Sequence, residues 1–599
     1  MSATIFNDTV ETFNSTITTF NGAVTGSGYG LFGFNPDGGT FELMAMQSGV
    51  LSGWPSSGSF INRKGGFTDG IPCKMIKAGQ QGQLDVLIIN NGVDNPQVMY
   101  QDHTFHDLLT NQFYSMPKTI AMCYYGDRVW TLLKNYLAFS DAFPPTYYPT
   151  AAQIVGNQTT YTFTTGDAVK VTIDSVITDN ISLSGCASIA DVANAINVAC
   201  GGNYASVGIF PNPIGVLVIT SFTVGTSSIV SIVDATSMAS LIPPRTIVNN
   251  LFATDPTTTN GYAPFDLVSN AFRVPVGTAM TLIPTRDQGI VAMGQDQIWQ
   301  LLPSQIPNPS TDQPQKILDF GCMAFATAAQ VADDIIFLAY DGIRGLFRTQ
   351  LDKLQTGQSF PLSWPIPEQI DSINWAAINN ACAIFFEDKY IIALPVNGSS
   401  YNNLCLVYYP SLSTAFYAST NTQNAAAVKS WVIYEGWNIA RFAIMNVGGK
   451  QKLYGIDSIT GQVYQLFQGT TDNGNTIIYD EVSKADDFKV PFQYKYGGEY
   501  KIRAEGGNGV IVISANPDSL GWIQLGSVSL NTTGITFPTT FPITFPLSTE
   551  VMGVFHLDSA GIIKFKKCQF EISSNTNEAN ITIIETLATA FQEPYLSEG

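Results

Sequence analysis

Residues able to do acid–base, nucleophilic or metal chemistry are scarce in this 599-residue chain, and their spacing does not assemble them into working sets. Only His103, His106 and His556 could titrate near neutrality. Asp102, His103 and His106 are close enough to suggest a metal shell, but no neighbouring Cys or Glu completes it, so a polar loop is expected. Cys73, Cys123, Cys186, Cys200, Cys322, Cys382, Cys405 and Cys568 contain no C-x-x-C pair. That fits reduced thiols packed as small core residues and disfavours both a zinc site and a disulfide scaffold.

Asp127, Asp296, Asp341 and Asp457 are the carboxylates a glycosidase would need in a pair. Each sits in a tight-turn sequence, where its oxygens are expected to accept from nearby backbone amides. No repeated Ser-x-Asp-x-Gly-x-Thr-Trp box of the sialidase kind occurs. Nor does a phosphate-cradling Gly-x-x-x-x-Gly-Lys-Ser/Thr; the pairs Gly448-Gly449 and Gly506-Gly507 fall between strand patterns. Trp130, Trp299 and Tyr464 could stack on sugars, but aromatics in strands pack between sheets far more often. The expectation is a chain without catalytic residues, cofactor or metal.

Whatever the chain does must therefore come from its surfaces. Charged residues make up 13% of it, against about 25% in a typical globular protein. So much neutral surface implies coverage by partner subunits, hence an oligomer. The net charge of -19 argues against a surface built to grip phosphates, though an acidic or neutral wall suits a conduit past which a polyanion slides. There is no basic residue before Arg63 to form the n-region of a secretory signal, and apolar runs such as Ile335–Leu338 fall far short of a membrane span. The cytosol, or a particle built there, is the expected location.

One unit recurs from about residue 85: an apolar strand, a turn on Gly, Asp or Asn, and a second strand carrying an aromatic. It appears at Leu84–Asn91 with Gln97–Tyr100, at Ala121–Leu132, Gly289–Leu301, Ile335–Leu346, Ala383–Leu394 and Leu453–Leu466. The turn residues Asp296, Asp341 and Asp388 lie 45 and 47 residues apart, the spacing of propeller blades. From Asp388 to Asp457 the step is 69, and from Asp127 to Asp296 it is 169, so the repeat is irregular and has room for an insertion.

The fold expected is all-β dominated: an irregular β-propeller with an inserted small α+β domain and a C-terminal β-sandwich-like domain. Its parts are an N-terminal arm (1–60), the first part of the propeller (61–150), the insertion (151–240), the second part of the propeller (241–490) and the C-terminal domain (491–599). In the insertion, Ser188 begins a capped helix with Ile189, Val192, Ala193 and Ile196 on one face, in a β, helix, β, β order. The Phe-Pro steps over Phe537–Pro546 cannot sit in a central strand and are expected to form an edge or arm that contacts another subunit.

The hairpin texts carry a family resemblance. Gly126-Asp127-Arg128-Val129-Trp130 running into Tyr136–Pro144, Ile298-Trp299-Gln300-Leu301, and Ile335–Arg344 resemble blades of the tail nozzle, or DNA-stabilisation, proteins of short-tailed bacteriophages. The similarity covers roughly 60–150 and 260–490. It implies a structural virion protein forming a hexameric ring at the distal tail, with outward propellers and a channel that retains and then passes the genome. Implied partners are other tail or portal-adaptor proteins, genomic DNA held without sequence-specific contacts, and a possible host surface. The helix of the insertion, followed by Val218-Ile219-Thr220-Ser221 and Gly225, resembles short modules of flagellar hook-associated and phage tail proteins, and the basic nozzle pattern does not require it. Two alternatives stand beside this: a carbohydrate- or receptor-binding tail-tip adhesin, with aromatics exposed in one cleft, and a propeller glycosidase, with two carboxylates in one pocket.

Overall fold

A computed structural model describes the chain from residue 28, apart from longer breaks at 109–115, 143–151, 237–257, 261–269, 412–430, 469–476, 537–543, 546–549, 575–580 and 593–599 and shorter ones of one to four residues; before residue 28 it describes only Ile5–Phe6. Two units are present, one from 26–56 and 61–445, the other from 1–25, 57–60 and 446–599. Both are built almost wholly from small antiparallel sheets.

In the first unit, six sheets follow one another as up-and-down meanders. The first contains Gly28–Phe34, Glu42–Gln47, Val50–Trp54 and Ile61–Lys64, so the stretch expected as an arm over 1–60 holds a sheet of the repeating kind. The second runs from Lys74–Gln80 to Phe105–Asp107 and the fourth from Ala279–Thr285 to Gln315–Leu318. The fifth has only three strands, Ala329–Val331, Asp334–Ala339 and Gly342–Gly345, and then a helix, Leu346–Thr356. The sixth runs from Cys382–Phe386 to Trp431–Glu435.

Turn chemistry explains why these hairpins form where they do. Asp127 (φ 60°), Glu387 (φ 44°) and Asp388 (φ 61°) take up the left-handed conformation that a two-residue connection imposes, one that Asp tolerates better than most residues. The flanking positions are buried, as at Ile335–Ala339 and Tyr390–Leu394. Trp130 is buried between Phe139 and Phe272, and its indole Nε1 donates to the Tyr125 carbonyl at 3.0 Å.

The third sheet explains the 169-residue step. Met122–Tyr125, Arg128–Leu132 and Tyr136–Phe139 are completed by a short fourth strand, Ala271–Arg273, so the insertion lies inside a sheet, between its third and fourth strands. It has a core of its own, including Val169, Val171, Ile189, Val192, Ile196, Ile219 and Ile232. Ser188 caps its helix, Ile189–Cys200, in a capping box with Asp191, and Gly201 ends it in the left-handed conformation. Strands Gln153–Val155, Asp167–Ile173, Val176–Ile177 and Ile181–Ser182 precede the helix, so the expected β, helix, β, β order is corrected: short pieces separated by Thr and Asn read as loop.

Neighbouring sheets meet through their first strands: Gly28–Phe34 beside Lys74–Gln80, that beside Met122–Tyr125, and on through Ala279–Thr285 and Ala329–Val331 to Cys382–Phe386. Asn402 joins the last of these to Ile439–Val447, donating to the carbonyls of Asn380 (2.8 Å) and Ile439 (2.7 Å). Gly33, in the first strand of the first sheet, lies so close to Ile439–Val447 that a Cβ would sit 1.9 Å from the Ile444 carbonyl oxygen. Only glycine fits there.

In the second unit, Tyr479–Val482, Cys568–Ser574, Gly509–Pro517 and Ile523–Leu530 form one sheet. Lys495–Gly506 pairs with Glu550–His556, Lys564–Phe565 and Ile581–Gln592 in another. Their inner faces share a core that includes Ile502, Ile511, Ile513, Phe565, Phe570 and Ile572. The division between units falls at 445/446, ahead of the boundary expected at 490/491. Of Phe537–Pro546 only Thr544–Phe545 is described, paired with Ile535–Thr536; the remainder, like the stripe Val10–Phe20, lies outside the described residues.

Candidate functional site

Three successive sheets of the first unit place their connecting segments around a cleft of about 420 Å³. Thr278 and Met280 enter it from the start of Ala279–Thr285, and Gln295 from the turn after Gly289–Gly294. The Gln295 amide donates to the Thr278 carbonyl at 3.0 Å, which fixes these two segments against each other. Tyr340 comes from the turn that ends Asp334–Ala339, with its ring edge-on to Phe320 at 6.0 Å. Trp375, Ile378 and Asn379 come from a 3₁₀ turn, Trp375–Asn380, which starts where the Asn374 side chain accepts from the Ala376 amide.

The cleft lining contains two aromatic rings, two carboxamides, the hydroxyls of Thr278 and Tyr340, two thioethers and an isoleucine, with no carboxylate, histidine, lysine, arginine or cysteine among them. It can hold a ligand that has both an apolar face and polar edges. Tyr340 is 62% and Trp375 37% exposed, in contrast to the buried aromatics of the hairpins. Two cations are engaged at Phe320, the ring against which Tyr340 stands. Arg344 donates through Nε to Asp341 at 2.8 Å and lies over Phe320 at 5.3 Å; Lys353 is over the same ring at 4.8 Å.

Beside this cleft is a buried cation. Arg441 is 7% exposed; its Nη1 donates to the Asn380 carbonyl at 2.9 Å, and its guanidinium lies over Phe325 at 4.9 Å. Burial is the main influence on it, and the titratable groups that act on it besides are the thiols of Cys382 and Cys73. Burial holds those thiols protonated, pushed up to about 11 at Cys382 and about 12 at Cys73, and it pulls Arg441 below its ordinary value. These cysteines are packing residues and not nucleophiles.

The carboxylates and histidines singled out in the sequence are dispersed. Asp457 accepts from the Ile459 and Thr460 amides at 2.8 and 2.6 Å, as turn chemistry requires. Asp341 departs from that reading, because its oxygens hold the Arg344 guanidinium instead of backbone amides. His103 Nε2 lies 3.2 Å from both Glu42 oxygens, and Asp102 accepts from the Thr104 amide at 2.9 Å. Among the described residues no three His, Cys, Asp or Glu side chains are grouped to hold a metal ion, and no helix is long and apolar enough to cross a membrane. Trp299 is half-buried, its Nε1 donating to Gln297 Oε1 at 3.0 Å. The cleft aromatics, Tyr340 and Trp375, were not singled out from sequence.

Comparison with known proteins gives no family model and no curated protein that matches the chain. Solved structures do match at low similarity. PorZ, a surface component of the type-IX secretion system of Porphyromonas gingivalis, is 9% identical with a TM-score of 0.23, the match covering 72% of this chain and 50% of PorZ. The chain thus spans half of that protein's length. A sialidase from Trypanosoma rangeli is 9% identical at a TM-score of 0.23, covering 89% and 92% of the two chains. An exo-β-1,3-galactanase from Phanerochaete chrysosporium is 9% identical at a TM-score of 0.17, covering 53% and 82%.

Proposed function

We propose that this chain is a non-enzymatic structural protein of a short bacteriophage tail: a homo-oligomeric nozzle or hub ring, assembled in the host cytoplasm, that surrounds the channel through which the genome is retained and then released. In this reading the six meanders and the strand Ile439–Val447 form an irregular β-propeller, and residues 446–599 contain a β-sandwich. The blade resemblance of residues 126–144, 298–301 and 335–344 points to this family.

The observation that carries the assembly reading is the apolar surface left bare on the second unit. Phe492 is 90% and Met552 67% exposed, with Ile478, Leu520, Ile563 and Phe591 also open to solvent. Large exposed apolar side chains such as these are what a subunit interface would cover. The low charge fraction agrees with a surface that is mostly covered, and the net negative charge with a channel wall to which DNA does not adhere. A glycosidase would need paired carboxylates facing one pocket, and the cleft lining has none.

Native mass measurement of the purified full chain tests this. A hexamer is expected, and a monomer or trimer at micromolar concentration overturns the ring.

A further inference from the structure

We infer that the cleft between the fourth, fifth and sixth sheets of the first unit is a binding site for an uncharged glycan. The inference rests on the cleft alone and stands whether or not the chain builds a tail.

The argument begins with the two rings. Tyr340 occupies a hairpin turn whose left-handed position is taken by Gly342, and it leaves most of its surface in water. Trp375 opens a 3₁₀ turn and is likewise partly bare. The Tyr340 ring stands edge-on to Phe320, and the turn that carries Trp375 is pinned at its far end, where the Asn380 side chain donates to the Ser400 carbonyl at 2.9 Å. A rigid, partly exposed aromatic is what the C–H face of a sugar ring packs against, because it offers apolar area at little cost in conformational entropy.

The polar complement fits the rest of a sugar. Gln295 and Asn379 each carry an acceptor oxygen and two donor hydrogens, and Thr278 a hydroxyl, so vicinal hydroxyls can be met as donors and acceptors at once. Met280 and Met323 line the same space and adapt to an irregular ligand. The volume, about 420 Å³, lies within the range of small-ligand sites and suits a short oligosaccharide.

Charge sets the class. No Lys, Arg, Asp or Glu lines the cleft, and Arg344 is committed to Asp341. A sialic or uronic carboxylate would lose its hydration there without gaining a cation, whereas a neutral hexose chain meets no such penalty. The lining also has no pair of carboxylates of the kind that cleaves glycosidic bonds, so the glycan is inferred to be bound and released intact.

The test is a glycan array carrying neutral and acidic oligosaccharides, probed with the purified full chain, followed by tryptophan-fluorescence titration with the strongest neutral oligosaccharide. Binding to neutral glycans is expected, with affinity falling at least about tenfold in Trp375→Ala and, separately, in Tyr340→Ser. The exposed Trp364→Ala should bind as the unaltered chain does. Each variant is checked by its unfolding transition, and Trp375→Phe should keep part of the affinity, which separates loss of the platform from loss of fold. Absence of binding to any neutral glycan at millimolar concentration, preference for acidic glycans alone, or binding unchanged in both cleft variants overturns the inference.

Discussion

The two units solve the same problem differently. In the unit of residues 26–445 each sheet is covered by the next, through first strands that lie side by side, and the buried aromatics Trp130, Phe337 and Tyr390 fill the space between layers. In the unit of residues 446–599 two sheets cover each other on one side only. The outer face of the strand Lys495–Gly506 carries Glu499, Lys501 and Arg503, with Lys501 to Glu499 at 2.8 Å and Arg503 to Glu550 at 2.9 Å. Met552 and Val554 on one flanking strand and Leu587 on the other remain exposed beside those charges. Both units leave some large apolar side chains open, Leu354 (85%) and Trp364 (65%) in the first and Phe492 (90%) and Leu520 (85%) in the second, and under the proposed ring those of the second unit are the ones a partner would cover.

The first way to break this comparison is to remove a buried aromatic of the stacked sheets. Trp130→Ala should cost about 3–5 kcal/mol, measured by chemical denaturation, because it empties a site walled by Phe139 and Phe272. A cost under about 1 kcal/mol would mean that the stack is loose. The next is to force apart the segments that meet at Gly33. Gly33→Val should destabilise the first unit by about 1–3 kcal/mol or more, since its Cβ would collide with the Ile444 carbonyl; an unchanged unfolding midpoint would show that the two strands are not in contact.

A smaller effect is expected in the insertion, which has its own core. Ser188→Ala should cost about 1 kcal/mol by removing the helix cap. The Ser188 hydroxyl and the Ala187 and Ser188 amides hold the Asp191 carboxyl below its ordinary value. Its stabilising contribution is therefore present above the usual carboxylate range and fades as the pH falls below about 4, through the lowered value. Asp191→Asn should flatten that acid dependence, followed by circular dichroism. Smallest in stability is the change on the bare faces: Phe492→Ser and Met552→Ser should leave unfolding within about 0.5 kcal/mol of the unaltered chain and yet weaken self-association in sedimentation. A large loss of stability would place those side chains inside the fold instead of at an interface.

Much of the first unit was legible because turn chemistry is local. Asp127, Glu387 and Asp388 announce tight turns in their own few residues, and the apolar runs beside them do the rest. The helix at 189–200 was equally plain, since a capping box and a one-sided apolar face are short-range signals. What was missed depends on long range. The strand Ala271–Arg273 is three residues long and gains its meaning only from Tyr136–Phe139, on the other side of the insertion. The sheet begun at Gly28–Phe34 was hidden because the first sixty residues, rich in Thr, Asn and Gly, read as an arm, and the need for glycine at position 33 comes from Ile444. The cleft escaped for the same reason: Thr278, Gln295, Tyr340 and Trp375 belong to separate turns, and a lone Tyr or Trp in a loop carries no signal until the sheets bring them together.

The central claim, that the unit of residues 446–599 is made to be covered by copies of itself, is tested most directly by imaging the purified full chain as single particles. The account predicts rings of six subunits around an open channel, with the bare apolar faces at subunit contacts. Isolated single chains in which Phe492 and Met552 stay exposed to solvent would contradict it.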